Sequence, residues 1–282
     1  MKVFDKVIKG VKEFPTLPTV FQALSDVLAN PNSTASDAAE VISSDQASAA
    51  KILKCANSPI YGFSGRIDNI TKAIFYIGFQ EVKNLILAIA IIDIFKKSKL
   101  EVDFNPVDLW KHSIAVGVIT RLIGEASGIK NVESYFVTGI LHDIGKLLFI
   151  RTIDEEYYKA MLYAYENQVS IREAEAEMLG ITHTVAGELI AEKWKLPKQI
   201  KDAIRYHYSG TVNGKVEHLA ASVHVANLCA RFLQLGNPGD AIIQEPNEEV
   251  WNVLNLPHDT FTTNYKRILG SFDQTVHTFL LS

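Results

Sequence analysis

From Val20 onward the apolar residues recur at helical spacing, with Val20, Leu24, Val27 and Leu28 on one face until Asn30-Pro31-Asn32 interrupts the pattern. Residues 36–43, 46–56 and 70–77 repeat it, each with an apolar face and each bounded by Ser, Asn, Pro or Gly. Ser43-Ser44-Asp45 reads as a helix start and Asn57-Ser58-Pro59 as a stop. The run from Leu85 to Ile92 is continuously apolar but far short of the roughly 20 residues of a membrane span, so it predicts a buried core helix. That helix ends at the basic pair Lys96-Lys97, where the helix dipole favours cations. Strand-like alternation is nearly absent. Residues 1–105 therefore read as an all-helical N-terminal lobe whose ordered part opens at Pro15 and Pro18.

Leu100-Glu101-Val102-Asp103-Phe104-Asn105-Pro106, short, polar and closed by proline, marks the boundary to a second helical region, 106–235. Helical segments there cover 108–124, 135–152, 154–167, 171–179, 182–196, 197–208 and 217–235. A tail, 236–282, is punctuated by Pro and Asn before a last helical run around 265–281, and it either caps the core or mediates assembly. No internal repeat or low-complexity stretch emerges.

Composition narrows the function classes. The 282 residues are 48% hydrophobic and 21% charged, the make-up of a folded protein rather than a disordered one. A net charge of −4 and a pI near 6.1 give no global basic field, so nucleic acid is not an expected partner. Cys55 and Cys229 lie far apart with no CxxC spacing, which argues against a disulfide framework or a thiolate zinc site and fits a reducing cytoplasm. Met1 to Gly10 carries no continuous apolar core, so neither a signal peptide nor a membrane association is expected.

The chemistry concentrates in Leu141-His142-Asp143-Ile144-Gly145-Lys146, where adjacent His and Asp offer one metal a nitrogen and an oxygen ligand together. Further ligands must converge from elsewhere. His112 shares the face of Ala115, Val116, Ile119 and Ile123; His183 that of Ala186, Gly187, Ile190 and Trp194; His207 that of Ile200, Ala203 and Ile204. Each alone reads as a core imidazole held by a backbone carbonyl. Four inward imidazoles and a carboxylate in one helical region instead point to a shared metal site. Asp108 offers another oxygen or caps its helix. Lys146 either binds a phosphate as a point charge or stabilises a carboxylate. His218 and His224 lie on the helix of Asn227, which shares a face with Ala220, Val223 and Ala230; these two and His258 and His277 are assigned to surface or packing.

Phe14-Pro15-Thr16-Leu17-Pro18, the segment from Ala49 to Ser58, Ile70-Thr71-Lys72-Ala73-Ile74 with Ile77-Gly78, the Leu141–Lys146 motif and Trp194-Lys195-Leu196-Pro197 together resemble the HDOD domain. That family is an HD-related output domain of bacterial signalling proteins, and the likeness spans about residues 14–232. It implies an all-α fold in which an N-terminal helical lobe packs on a degenerate HD-phosphohydrolase core. Carried over by residue, His112 matches the first metal ligand of the HD superfamily, His142 and Asp143 the doublet, and Lys146 the lysine that follows it. His183 and His207 match the additional histidines of the related cyclic-dinucleotide phosphodiesterases.

Two positions depart from the pattern. Asn227 stands where a late aspartate belongs, and Tyr208 where the phosphodiesterases carry a second histidine; their Gly-Tyr-Pro motif is missing after His207. An amide ligates without bringing negative charge, so the expectation is a partial site holding a single divalent metal, Fe, Mn, Zn or Mg. Two function classes follow. One is a non-catalytic signalling module that binds a protein partner or a small ligand. The alternative is a metal-dependent phosphohydrolase acting on a nucleotide, cyclic dinucleotide or other phosphoester, with Lys146 stabilising developing charge. An HD-type di-iron oxygenase ranks third, since it too would use the missing carboxylate.

Overall fold

The computed structural model describes residues 2–57, 66–96, 105–240 and 242–280. Its elements run α1 (Val3–Glu13), α2 (Thr19–Ala29), α3 (Ala35–Ser43), α4 (Gln46–Ala56), α5 (Ile70–Ile77) and α6 (Phe79–Lys96), then α7 (Pro106–Ala126), α8 (Val132–Leu141), α9 (Ile144–Thr152) and α10 (Asp154–Asn167). There follow α11 (Ile171–Leu179), α12 (His183–Lys193), α13 (Lys198–Tyr206), the strands β1 (Thr211–Val212) and β2 (Lys215–Val216), α14 (His218–Phe232), α15 (Glu248–Leu254), α16 (Thr260–Thr263) and α17 (Tyr265–Leu280). The fold is all-α, and the antiparallel β1–β2 pair is a minor addition. That hairpin turns on Asn213 and Gly214, both at positive φ, the chemistry a two-residue turn of this kind demands.

Local chemistry sets the helix starts. Thr34 and Asp37 form a reciprocal capping box on α3, Ser170 and Glu173 another on α11, and Asp45, Asn69, Asn105 and Thr182 cap α4, α5, α7 and α12. Pro106 occupies the first turn of α7, where its missing N–H costs nothing. The expected stop at Asn57 is a tie between chain segments: its amide donates to the carbonyls of Leu53 and Ile67 while the Ile67 N–H donates to Asn57 Oδ1 at 2.8 Å. Ser58 and Pro59, like Lys97 and residues 100–104 of the expected boundary, lie outside the described residues.

Helices α2 to α6 pack on one another, and α6 passes on to α7 and α8. Leu85 to Ile92 are buried without exception, so α6 is apolar all round because neighbours cover every side. Among the described residues no single helix is long and apolar enough to cross a membrane, although α5 and the greater part of α6 pass that test together as a sharply bent pair. Cys55 and Cys229 are free thiols.

Two segments differ from the sequence expectation. The ordered chain opens before Pro15, with α1, which packs across α9 and α12. Its last turn is closed from a distance: the Lys193 ammonium donates to the carbonyls of Val11, Lys12 and Phe14 at 3.1, 2.7 and 2.6 Å. Trp194 Nε1 donates to Pro15 O at 2.9 Å and its ring lies 5.8 Å from that of Phe14, so the Phe-Pro-Thr-Leu-Pro and Trp-Lys-Leu-Pro motifs are two sides of one joint. The second difference is a break at His142-Asp143, which divides 135–152 into α8 and α9. Helices α7 and α8 approach closely in the core, where a Cβ on Gly139 would sit 2.6 Å from the Gly117 Cα, a contact open only to glycine.

Candidate metal centre

Six helices deliver the polar groups. His112 sits in the first half of α7, Asn227 in α14, and His183 is the first residue of α12. His207 is the residue after α13, held in helical backbone geometry. His142 closes α8 and Asp143 opens α9 without capping it, so the helix break frees both side chains to face inward. Gly145 sets the distance from α9 to α12: a Cβ there would stand 1.9 Å from the carbonyl oxygen of His183 and 2.7 Å from the Gly187 nitrogen.

Asp143 is the centre of the arrangement. Its Oδ2 lies 3.3 Å from His142 Nε2 and accepts from the Lys146 ammonium at 2.8 Å, while its Oδ1 lies 3.3 Å from His183 Nε2 and 3.8 Å from His207 Nε2. Two triads result, His112–His142–Asp143 and Asp143–His183–His207, each with ligand atoms within 4.8 Å of one another. His112 Nε2 faces Asn227 Oδ1 at 3.0 Å. None of His112, His142, Asp143, Lys146, His183 and His207 is more than 2% exposed.

The outer ring nitrogens tell whether such a set suits a cation. Nδ1 of His142 donates to Gly139 O at 2.7 Å, Nδ1 of His207 to Ile204 O at 2.9 Å, and Nδ1 of His183 faces Glu175 Oε2 at 2.6 Å. With Nδ1 as the donor and the ring neutral, an inner Nε2 carries a lone pair, and among the described residues those three Nε2 atoms and Asp143 Oδ1 have no hydrogen-bond partner. Buried acceptors facing one another without a donor are costly, and a divalent cation is the group that resolves them. Imidazoles fixed through the outer nitrogen by a carbonyl or carboxylate are the usual support of metal ligands. The residues present fit a metal.

Residues 14–210 match the HDOD domain family. The chain belongs to the HDOD family. An HDOD domain protein of unknown function from Geobacter sulfurreducens superimposes with a TM-score of 0.76 at 25% identity, covering 98% of this chain and 99% of that one. A candidate phosphohydrolase from Shewanella amazonensis gives 0.70 at 23% identity over 95% and 97% of the two chains, and a candidate signal transduction protein from Marinobacter aquaeolei gives 0.74 at 20% over 98% and 65%. An uncharacterized protein of Treponema pallidum is 23% identical over 86% of this HDOD chain, which spans about half of it, 47%.

Burial governs the charges. It pushes His112, His183 and His207 well below the ordinary imidazole range, helped by His142 at His112 and His207 and by Lys146 at His183. Burial acts to raise the Asp143 carboxyl, but His142 and Lys146 together outweigh it and hold the group well below the usual range. Burial raises Glu175 well above its usual range, with the His183 backbone N–H acting against it. The site thus sets neutral imidazoles at His112, His183 and His207 around an ionised Asp143.

Lys146 is fully enclosed and donates to Pro238 O at 3.0 Å as well as to Asp143. Of its two expected roles it fills the one beside a carboxylate. Pro238 belongs to a strap, 236–240, bonded to the elements around the cluster: Asn237 N–H donates to Asp108 O at 2.9 Å, and Tyr208 Oη donates to Asp240 Oδ2 at 3.3 Å. Arg231, buried in α14, donates to Asp240 O at 2.9 Å and to Ile242 O. Asp108 neither caps α7 nor joins the cluster; its carboxylate pairs with Lys111 at 3.1 Å, and Asn105 is the cap.

His258 and His277 are exposed, His218 bonds Tyr135 Oη at 2.8 Å, and His224 Nδ1 donates to His207 O at 3.0 Å, bracing a cluster residue from behind. Sequence reasoning missed Glu175 and the strap. Glu175 had a signal: it lies one turn from both Ile171 and Leu179, a carboxylate on a buried stripe. The strap reaches the site only through tertiary contacts.

Proposed function

We propose that this HDOD protein is a regulatory module of bacterial signalling that works by binding a protein partner or a small ligand, and that its histidine–aspartate cluster holds one divalent metal without turning over substrate. The observation that carries the reading is closure. The cluster is enclosed on all sides, and the strap residue Pro238 shares the Lys146 ammonium with Asp143, so a phosphoester meets protein rather than an open coordination face. Asn227, an amide in the place of an acidic ligand, lowers the negative charge available for a second ion. The strap, α15 and α17 fold back on the core, so the tail acts as a cap in this reading.

A metal-dependent phosphohydrolase is the second reading, favoured by the two triads that share Asp143. His112, His142, Asp143, Asn227, His183 and His207 would hold the metal, which when bound would polarise a water or a phosphoryl oxygen. Lys146 would then supply positive charge beside Asp143, and the strap would have to leave before any substrate could enter.

Metal-loaded protein assayed against a nitrophenyl phosphodiester, a nucleoside triphosphate and a cyclic dinucleotide separates the two. No turnover is expected. Turnover abolished by His142→Ala establishes the hydrolase instead.

A further inference from the structure

Glu175 is completely buried on α11, and among the described residues no lysine or arginine nitrogen lies within 4 Å of its carboxylate. An ionised carboxylate in such a place is costly unless something compensates it. What it does hold is His183. Its Oε2 accepts from the His183 backbone N–H at 2.8 Å and faces Nδ1 of the same residue at 2.6 Å, so one oxygen fixes both the position and the ring of that histidine. Among the described residues its other oxygen, Oε1, has no hydrogen-bond partner. With Nδ1–H donating outward, the lone pair of His183 Nε2 points at Asp143 Oδ1, itself unpartnered, beside the equally unpartnered His207 Nε2.

The opposite face of Asp143 is occupied differently. Its Oδ2 already has the Lys146 ammonium, and His112 Nε2 is engaged by the Asn227 amide oxygen, so there a cation would have to displace existing partners. Among the described residues, the side backed by Glu175 presents three groups without a hydrogen-bond partner, Asp143 Oδ1, His183 Nε2 and His207 Nε2.

We propose that Glu175 is a positioning residue that locks His183 in its Nδ1–H form and so makes Asp143, His183 and His207 the face that takes up the first divalent cation. This rests on the reading that the cluster holds a metal.

The test uses the full chain with ¹⁵N-labelled histidine, stripped of metal and titrated with zinc. In the wild type His183 should show the Nδ1–H tautomer, and substoichiometric zinc should shift Nε2 of His183 and His207 while His112 Nε2 keeps its proton. Glu175→Ala should lose the tautomer preference of His183 and bind zinc about 10- to 100-fold more weakly. Glu175→Gln keeps an acceptor and should retain the tautomer with a smaller loss; a purely structural role predicts an unchanged zinc affinity in every variant that folds. Should Glu175→Ala not fold, the wild-type titration and Glu175→Gln still decide. The proposal is overturned if His112 responds to the first equivalent of zinc, if His183 carries its proton on Nε2 in the wild type, or if zinc affinity is indifferent to Glu175. Phosphoester turnover bears on the non-catalytic reading alone, so the two can fail separately.

Discussion

Acidification from pH 6.0 to 5.0 should destabilise the metal-free protein by on the order of 2 kcal/mol, and the groups responsible can be counted. His112, His183 and His207 have folded pKa values well below the ordinary imidazole value, so in this window the unfolded chain takes up protons at these positions and the folded chain does not. Stability then falls with pH below the unfolded imidazole pKa, at a limit of about 1.4 kcal/mol per pH unit for each histidine. Glu175 works the other way: its raised pKa makes the folded state the better proton binder above the ordinary glutamate value, which offsets about one histidine. Asp143, held well below its usual range, titrates outside the window. His218 and His224 are also lowered by burial and act in the same direction.

The assay is urea unfolding in the presence of a chelator at the two pH values. Against a typical total of about 5–15 kcal/mol the change is large. Saturating metal should raise stability at both pH values and leave the difference in place, because in this window the folded nitrogens hold no proton for the ion to displace. A metal-free protein equally stable at pH 6.0 and 5.0, or more stable at 5.0, would refute the neutral buried imidazoles on which the site depends.

Other outcomes follow from single contacts. Lys146→Met leaves Asp143 Oδ2 and Pro238 O without their shared donor and should cost about 3–5 kcal/mol in chemical denaturation, the usual loss when one partner of a buried pair is removed. Gly145→Ala drives a methyl group into the His183 carbonyl and should cost at least the about 1–3 kcal/mol of core overpacking; by moving α12 off α9 it should also weaken zinc binding, read by calorimetry. Trp194→Ala empties the joint with Phe14 and Pro15 and should lower stability by about 3–5 kcal/mol while the zinc stoichiometry of folded protein stays unchanged, since Trp194 touches Phe14 and Pro15 rather than the cluster.

Much of the fold is legible because helical periodicity and stop signals act locally. Asp45 caps α4 where Ser43-Ser44-Asp45 suggested a start, and the apolar run in α6 is buried as its length implied. The break at His142-Asp143 is invisible to the same reasoning: both flanking helices are buried on nearly every side, so a two-residue turn leaves no change of face to detect. For α1 the alternating charges concealed an amphipathic helix whose last carbonyls are satisfied by Lys193, a partner far away in the chain. Within the site, the spacing of His112, His183 and His207 was enough to aim them inward. Spacing could not reveal which nitrogen of each ring faces the centre, because that depends on Gly139 O, Ile204 O and Glu175. Nor could it show that the first residues of the tail close the site, since Pro238 meets Lys146 only in the folded chain.

Closure of the proposed metal cluster is tested most directly by the kinetics of metal release. Zinc-loaded protein is mixed with excess chelator and the zinc transferred is followed over time. A sealed site predicts slow release at a rate independent of chelator concentration, limited by opening of the fold, and faster release in Arg231→Ala, where the strap loses its contacts to Asp240 and Ile242. Rapid release that scales with chelator concentration in the wild type would mean that the coordination face is open to solvent, contradicting the closed cluster and the non-catalytic role built on it.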